Sequence, residues 1–115
     1  MKLETFQVAA KMEKCISALE TLCKELDGIG EAKVDAQVDY DKELHIAMEQ
    51  LKSEKSAVST RRDDAKGILA INGITRTLGM ADIRYKALHT KIDAAKSALC
   101  GWQSYNRHLD TTTHV

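Results

Sequence analysis

The sequence has 115 residues, enough for one small domain with a modest core and too few for two independently folded ones. Its charged fraction of 30% is high, and only five of its residues are Phe, Trp or Tyr. Apolar surface must therefore come mainly from aliphatic side chains, which suits helices with one narrow buried stripe. Because the sequence contains no proline, the commonest helix breaker is missing, and we predict a single all-α domain.

Acidic and basic residues are unevenly distributed, although the formal net charge is zero. Residues 1–51 contain six Lys and eleven Asp or Glu, a net charge of −5, whereas residues 52–115 contain eleven Lys or Arg and six Asp or Glu, a net charge of +5. This asymmetry is typical of a basic surface for nucleic acid, or of acidic and basic helices that pack together within a fold or across a dimer. We favour the second explanation.

Cysteine and histidine show no metal-binding or disulfide pattern. Cys15, Cys23 and Cys100 form no C-x-x-C pair, and the four histidines stand far apart. The first residues mix charges with apolar side chains, unlike a signal peptide, and no run approaches the roughly 18 apolar residues of a membrane span. We expect a soluble, reduced, intracellular protein that binds no metal, cofactor or membrane.

The apolar spacing predicts about four helices, of which the first two cover residues 4–26 and 31–53. The seam of the first helix comprises Val8, Met12, Cys15, Leu19, Leu22 and Leu26. Residues 27–30 read Asp-Gly-Ile-Gly and are expected to end the first helix, because glycine accepts the left-handed conformation at a helix C-terminus. Between residues 34 and 40 the second segment alternates apolar and polar residues, which would suit a strand nearly as well. No second strand signal exists to pair with it, so we predict a helix.

A short third helix is predicted over residues 57–70. Ser56 or Ser59 is the expected N-cap, and Asp63 and Asp64 are expected in or near the first turn, where carboxylates suit the helix dipole. The Asn-Gly pair at 72 and 73 indicates the next turn. The fourth helix is predicted over residues 78–109 with Gly79 at its entry, followed by a frayed tail over residues 110–115.

The fourth helix carries the longest apolar seam. From Ile74, alternate steps of four and three reach ten further positions ending at Leu109, and only Asn106 among them is neither apolar nor aromatic. This spacing predicts an extended hairpin or bundle with coiled-coil-like packing. Because so small a chain leaves part of the stripe exposed, we expect a homo-oligomer, a dimer or higher. The candidate interface residues are Tyr85, Leu88, Ile92, Ala95, Leu99, Trp102 and Leu109.

Basic residues in the second half of the chain are candidates for contact with nucleic acid. Tyr85, Trp102 and Tyr105 lie among them and could stack on the bases of single-stranded DNA. Tyr85 and Trp102 also fall on the seam, however, where aromatic residues anchor packing. Single-stranded DNA is therefore the less favoured partner. Its candidate contacts are Arg61, Arg62, Lys66, Arg84 and Lys91.

No pattern typical of an active site is found in the sequence. Asp39, Asp41, Glu43 and Glu49 are expected to form a solvated helix face rather than an acid–base pair or a divalent-ion site. The glycines at positions 73 and 79 match neither of the common phosphate-binding patterns. We therefore expect no catalytic, cofactor-binding or metal-binding residues, and we do not expect an enzyme.

Four short features in residues 38–67 and 84–109 carry a resemblance: Asp-Tyr-Asp-Lys at 39–42, Ala-Lys-Gly at 65–67, Tyr-Lys-Ala-Leu at 85–88, and Gln-Ser at 103–104 ahead of Arg-His-Leu at 107–109. They resemble a group of small helical proteins encoded by phages and prophages, often among recombination and single-strand-handling functions. The resemblance implies an accessory role in the cytoplasm of a bacterial host.

Two functions are consistent with these observations. The first is a non-catalytic phage or prophage accessory protein that acts through helix-mediated protein–protein interaction, with a phage or host protein as partner. The alternative is a single-stranded DNA-binding or annealing factor that uses the basic C-terminal half.

Overall fold

The computed structural model describes residues 4–113, with side chains described for residues 4–109. Helix α1 spans Thr5–Ser53, α2 spans Val58–Ile71 and α3 spans Ile74–Thr113. The all-α prediction is therefore confirmed for the described residues. These residues form three helices instead of the predicted four or so.

Helix α1 is continuous where the sequence predicted a break, so the prediction that residues 27–30 end a helix is wrong. The reason is that the apolar spacing keeps its phase across the glycines. Leu26, Ile29, Ala36 and Tyr40 occupy successive inward positions of one helical stripe, with Lys33 between them, and all five are buried or half-buried. A helical glycine costs about 0.5–1 kcal/mol. Packing on both sides of the glycines outweighs that cost.

Helix α1 ends in a Schellman motif. The backbone N–H of Ser56 donates to the carbonyl of Leu51 and that of Lys55 donates to the carbonyl of Lys52, both at 3.1 Å. Lys55 has a φ of 60°, in the left-handed region. A lysine therefore stands where a glycine would be free of steric cost.

We expect Lys55→Gly to raise the free energy of unfolding by about 0.5–1 kcal/mol, because it removes the Cβ penalty of the left-handed conformation. Urea denaturation followed by circular dichroism measures this change. Lys52→Gly is the matched control with the opposite sign. It places a glycine inside the last turn of α1 and should cost about 0.5–1 kcal/mol. If both variants lower the stability, the left-handed turn at Lys55 is contradicted.

The start of α2 differs from the predicted capping in two respects. The N-cap is Ala57, with no side-chain hydrogen bond, so neither Ser56 nor Ser59 caps the helix. The Ser56 hydroxyl instead accepts a hydrogen bond from Nε of Arg61 at 3.2 Å. No acidic residue lies in the first turn of α2, and so Asp63 and Asp64 fall later than predicted.

The turn between α2 and α3 lies where the sequence predicted it, at residues 72 and 73. Gly73 has a φ of +79°, which explains the glycine at this position. Helix α3 then begins at Ile74 rather than at residue 78, and Gly79 lies within it. The N–H and hydroxyl of Thr77 both donate to the Gly73 carbonyl at 3.1 Å, which secures the first turn. Within the predicted frayed tail, residues 110–113 are helical and residues 114–115 lie outside the described part.

The chain divides into two compact units, and each is described by itself. The middle unit comprises residues 28–86. Its core is a cluster of Leu44 and Ala47 from α1 with Ala65 and Leu69 from α2. Five partly buried side chains pack against this cluster: Tyr40, Met48, Leu51, Ile68 and Ile74. The packing of these side chains holds the short helix α2 against α1.

The terminal unit comprises residues 1–27 and 87–115, of which the structure describes 4–27 and 87–113. Its buried side chains are Val8 from α1 and Leu88 and Ile92 from α3. The other seam positions in this unit are half-buried: Met12, Cys15, Leu19, Leu22, Leu26, Ala95, Leu99, Trp102, Asn106 and Leu109. The predicted seams of both helices therefore lie on their buried sides.

Candidate protein-interaction surface

The seven residues predicted to form an oligomer interface lie on the buried side of α3. Leu88 and Ile92 are buried, and the other five are half-buried: Tyr85, Ala95, Leu99, Trp102 and Leu109. Folding of a single chain already covers much of this stripe. Contact between this stripe and a second copy stays a prediction.

Tyr85 lies against α1 in the middle unit. A methyl group built on Gly30 would lie 3.8 Å from Cε2 of the Tyr85 ring, so the two helices meet closely here. The Nζ atom of Lys33 lies 4.3 Å from the Tyr85 ring centroid and 3.9 Å from Oδ1 of Asp82. A cation over an aromatic ring at an exposed site contributes about 0.5–1 kcal/mol. These two contacts direct the Lys33 side chain from α1 toward α3. The two helices run antiparallel at this point.

A shallow, mainly apolar recess of about 500 Å³ lies beside the Tyr85 ring. Two valines of α1 form its outer part, and their side chains are 61% exposed for Val34 and 57% exposed for Val38. We call this pair the valine stripe. The complete lining is Gly30, Lys33, Val34, Gln37, Val38 and Tyr85. The alternation of residues 34–40 suits a strand nearly as well as the predicted helix, and it gave no indication of an exposed apolar site.

The segment of α1 that carries the valine stripe is rich in carboxylates. Residues 31–43 contain five Asp or Glu and two Lys, of which Lys33 already faces Asp82. Four of the acidic residues recur at every fourth position: Glu31, Asp35, Asp39 and Glu43. Like charges at this helical spacing destabilise a helix by about 0.2–0.5 kcal/mol per pair. These like-charge pairs therefore cost stability. Glu31 lies beside the valine stripe, whereas Asp39 and Glu43 lie toward the buried Ala36 on the other side of α1.

The five basic residues predicted to contact nucleic acid do not all have the same environment. Arg61 is half-buried, and its Nη2 donates to the Ser56 carbonyl at 2.9 Å, so it secures the turn between α1 and α2. Arg62 and Lys66 are exposed and lie one helical turn apart on α2. Arg84, in the middle unit, and Lys91, in the terminal unit, are exposed on α3.

The aromatic residues near these basic side chains are engaged in packing. Trp102 and Tyr105 are half-buried and meet edge to face, with ring centroids 6.2 Å apart and an interplanar angle of 89°. Tyr85 is half-buried beside Lys33. Bases of a single strand stack on exposed ring faces. These three rings therefore offer less surface for stacking than the sequence suggested.

In the described part of the chain, no three His, Cys, Asp or Glu side chains are arranged so that they could hold a metal ion. None of the three described helices combines the length and the apolar character that crossing a membrane requires.

Comparisons of the chain with protein-family models, with curated proteins and with solved structures found no match. The class of the protein is therefore stated from the structure of the described residues alone. Over the described residues it is an all-α protein with small buried cores, and α1 carries an exposed apolar pair within an acidic segment.

Proposed function

We propose that the chain is a non-catalytic accessory protein that acts through helix-mediated contacts with other proteins. The valine stripe beside the Tyr85 recess is the observation that carries this proposal. Apolar side chains exposed singly are ordinary, whereas neighbouring ones rimmed by polar residues are typical of interaction surfaces. The phage or prophage setting of the proposal comes from the sequence resemblance alone. Self-association into a dimer or higher oligomer is one form of it.

Size-exclusion chromatography with light scattering tests the proposal, with and without a labelled oligothymidine and at two salt concentrations. We expect an oligomer of the 12.8 kDa chain whose mass does not depend on the DNA. A monomer that binds the oligothymidine only at low salt would contradict the proposal and support the single-stranded DNA alternative. A monomer that binds no DNA would contradict self-association and leave a different protein as the partner.

The single-stranded DNA alternative has its best-placed contacts in Arg62 and Lys66. If both neutralise phosphates, log affinity falls with log salt concentration by about 0.7 per phosphate contacted. Arg62→Ala with Lys66→Ala should then reduce that slope by about 1.4. Arg61→Ala is not an equivalent variant, because it also releases the hydrogen bonds to Ser56. An unchanged slope in a fluorescence-anisotropy titration would exclude α2 from the contact.

A further inference from the structure

We propose that the valine stripe of α1, together with the Tyr85 recess, is a docking surface for a Lys- and Arg-rich amphipathic helix of another protein. The inference rests on the proposed function, since it assumes that the chain acts through protein contacts. Beyond that function, it specifies which surface makes the contact and which chemical features the partner has.

The geometry of α1 directs the valine stripe outward. Ala36 lies between the two valines and is buried. Because a helix turns by about 100° per residue, residues two positions before and after Ala36 lie on the opposite side of the helix. Val34 and Val38 are one turn apart there, with the open recess at their edge. A partner helix anchored at i, i+3 or i+4 and i+7 fits such an arrangement.

Charge determines which partner fits this surface. Glu31, Val34, Val38 and Asp41 follow one another at spacings of three, four and three, so they form a single line along α1. A carboxylate thus lies at each end of the apolar pair. Nε2 of Gln37 donates to Oδ1 of Asp41 at 3.0 Å, which holds one of these carboxylates in place. Lys and Arg on the flanks of a docking helix would complement both ends and speed the encounter.

A second copy of this chain in a two-fold symmetric dimer is a poorer occupant of the same surface. In a two-fold symmetric dimer, each patch contacts the identical patch of the other copy. The carboxylates of Glu31 and Asp41 would then face their equivalents, and such like-charge contacts disfavour association. The anionic surface of a membrane would meet the same repulsion. A basic helix of a different protein is therefore the occupant that both the apolar and the acidic residues favour.

Three fluorescein-labelled synthetic peptides of equal length test the proposal against the full chain by fluorescence anisotropy. The first carries Leu at i, i+3, i+4 and i+7 with Lys elsewhere. The second keeps the Leu pattern and replaces Lys with Glu. The third keeps Lys and replaces Leu with Ser. We expect only the Leu/Lys peptide to bind tightly, because it alone combines an apolar face with positive flanks.

Variants of the full chain locate the contact. We expect Val34→Ser with Val38→Ser, and separately Glu31→Gln with Asp41→Asn, to weaken binding of the Leu/Lys peptide by about tenfold or more. Val58→Ser and Glu49→Gln are the matched controls. Each changes an exposed residue of the middle unit outside the recess, and each should alter the affinity by less than about twofold. Far-UV circular dichroism checks that every variant keeps its helix content.

The other outcomes contradict the proposal in distinguishable ways. If the Lys/Ser peptide binds as tightly as the Leu/Lys peptide, the contact depends on charge alone. If the Leu/Glu peptide binds as tightly, the carboxylates of α1 do not select the partner. Peptide binding that the valine variants leave unchanged would refute this surface while leaving the proposed function standing. A self-association that the valine variants abolish would make a second copy the occupant. If no peptide binds, this docking surface is refuted, and a monomer that binds the oligothymidine would contradict the proposed function as well.

Discussion

Replacing Leu69 with Ala is expected to lower the free energy of unfolding by about 2–5 kcal/mol. The Leu69 side chain is only 1% exposed and belongs to the cluster formed with Leu44, Ala47 and Ala65. Truncation leaves a cavity that its alanine neighbours are too short to fill, so we expect a value in the upper half of this range. Since small domains are stable by only about 5–15 kcal/mol, the loss is a large share of the total.

Urea denaturation followed by circular dichroism measures the effect of Leu69→Ala. Ile71→Ala is the matched control on the same helix, because the Ile71 side chain is 87% exposed. Its substitution should change the free energy of unfolding by no more than about 0.5 kcal/mol. Similar losses for the two variants would contradict the packing of α2 on α1 through Leu69.

The apolar spacing predicted the buried sides of α1 and α3 well, because a step of three or four residues directly reflects helix geometry. Each of the ten positions reached from Ile74 is buried or half-buried. The Asn-Gly turn was also predictable, since Gly73 adopts a positive φ. The apolar spacing does not show which helix packs against the stripe. It therefore gave no means of separating packing within one chain from packing between copies.

The break in α1 was wrongly predicted because a local helix-end pattern conflicts with an apolar pattern that extends over many residues. Two glycines and an aspartate are common at helix ends, and this favoured a stop at residues 27–30. The stripe from Leu26 through Ile29 to Ala36 nevertheless stays in phase, and the structure follows the phase. Where both signals are present, an unbroken seam is the better guide, because its packing energy accumulates over many residues.

The sequence did not reveal the candidate site, because the pattern of residues 34–38 fits both a strand and a helix. Val34, Ala36 and Val38 alternate with polar residues, as they would in a strand. In a helix, residues two apart also lie on nearly opposite sides, so Ala36 faces inward and the two valines face outward. The sequence contained the residues of the site. The sequence did not show that the Tyr85 ring lies beside them, because that contact depends on how α3 packs against α1.

Substituting Leu88 and Ile92 with Ala is expected to remove about 2–5 kcal/mol for each residue, because both side chains are almost fully buried within one chain. The two residues lie one helical turn apart, so their effects need not add. The double variant should still lose most of the stability of the terminal unit. Trp102, the only tryptophan, is half-buried in that unit, and its fluorescence measures the loss.

The dependence on protein concentration separates the two roles of this stripe. If Leu88 and Ile92 stabilise the single chain, the double variant unfolds at lower urea by the same amount at every concentration. If they instead form an oligomer interface, dilution destabilises the unsubstituted protein, and the variant resembles its dilute form. Lys91→Ala is the control, because this exposed side chain lies between the two. A change above about 0.5 kcal/mol for Lys91→Ala would mean that the surface of α3 contributes to stability as well. We expect the loss caused by the double variant to be the same at every protein concentration, since both side chains are already almost fully buried without a second copy.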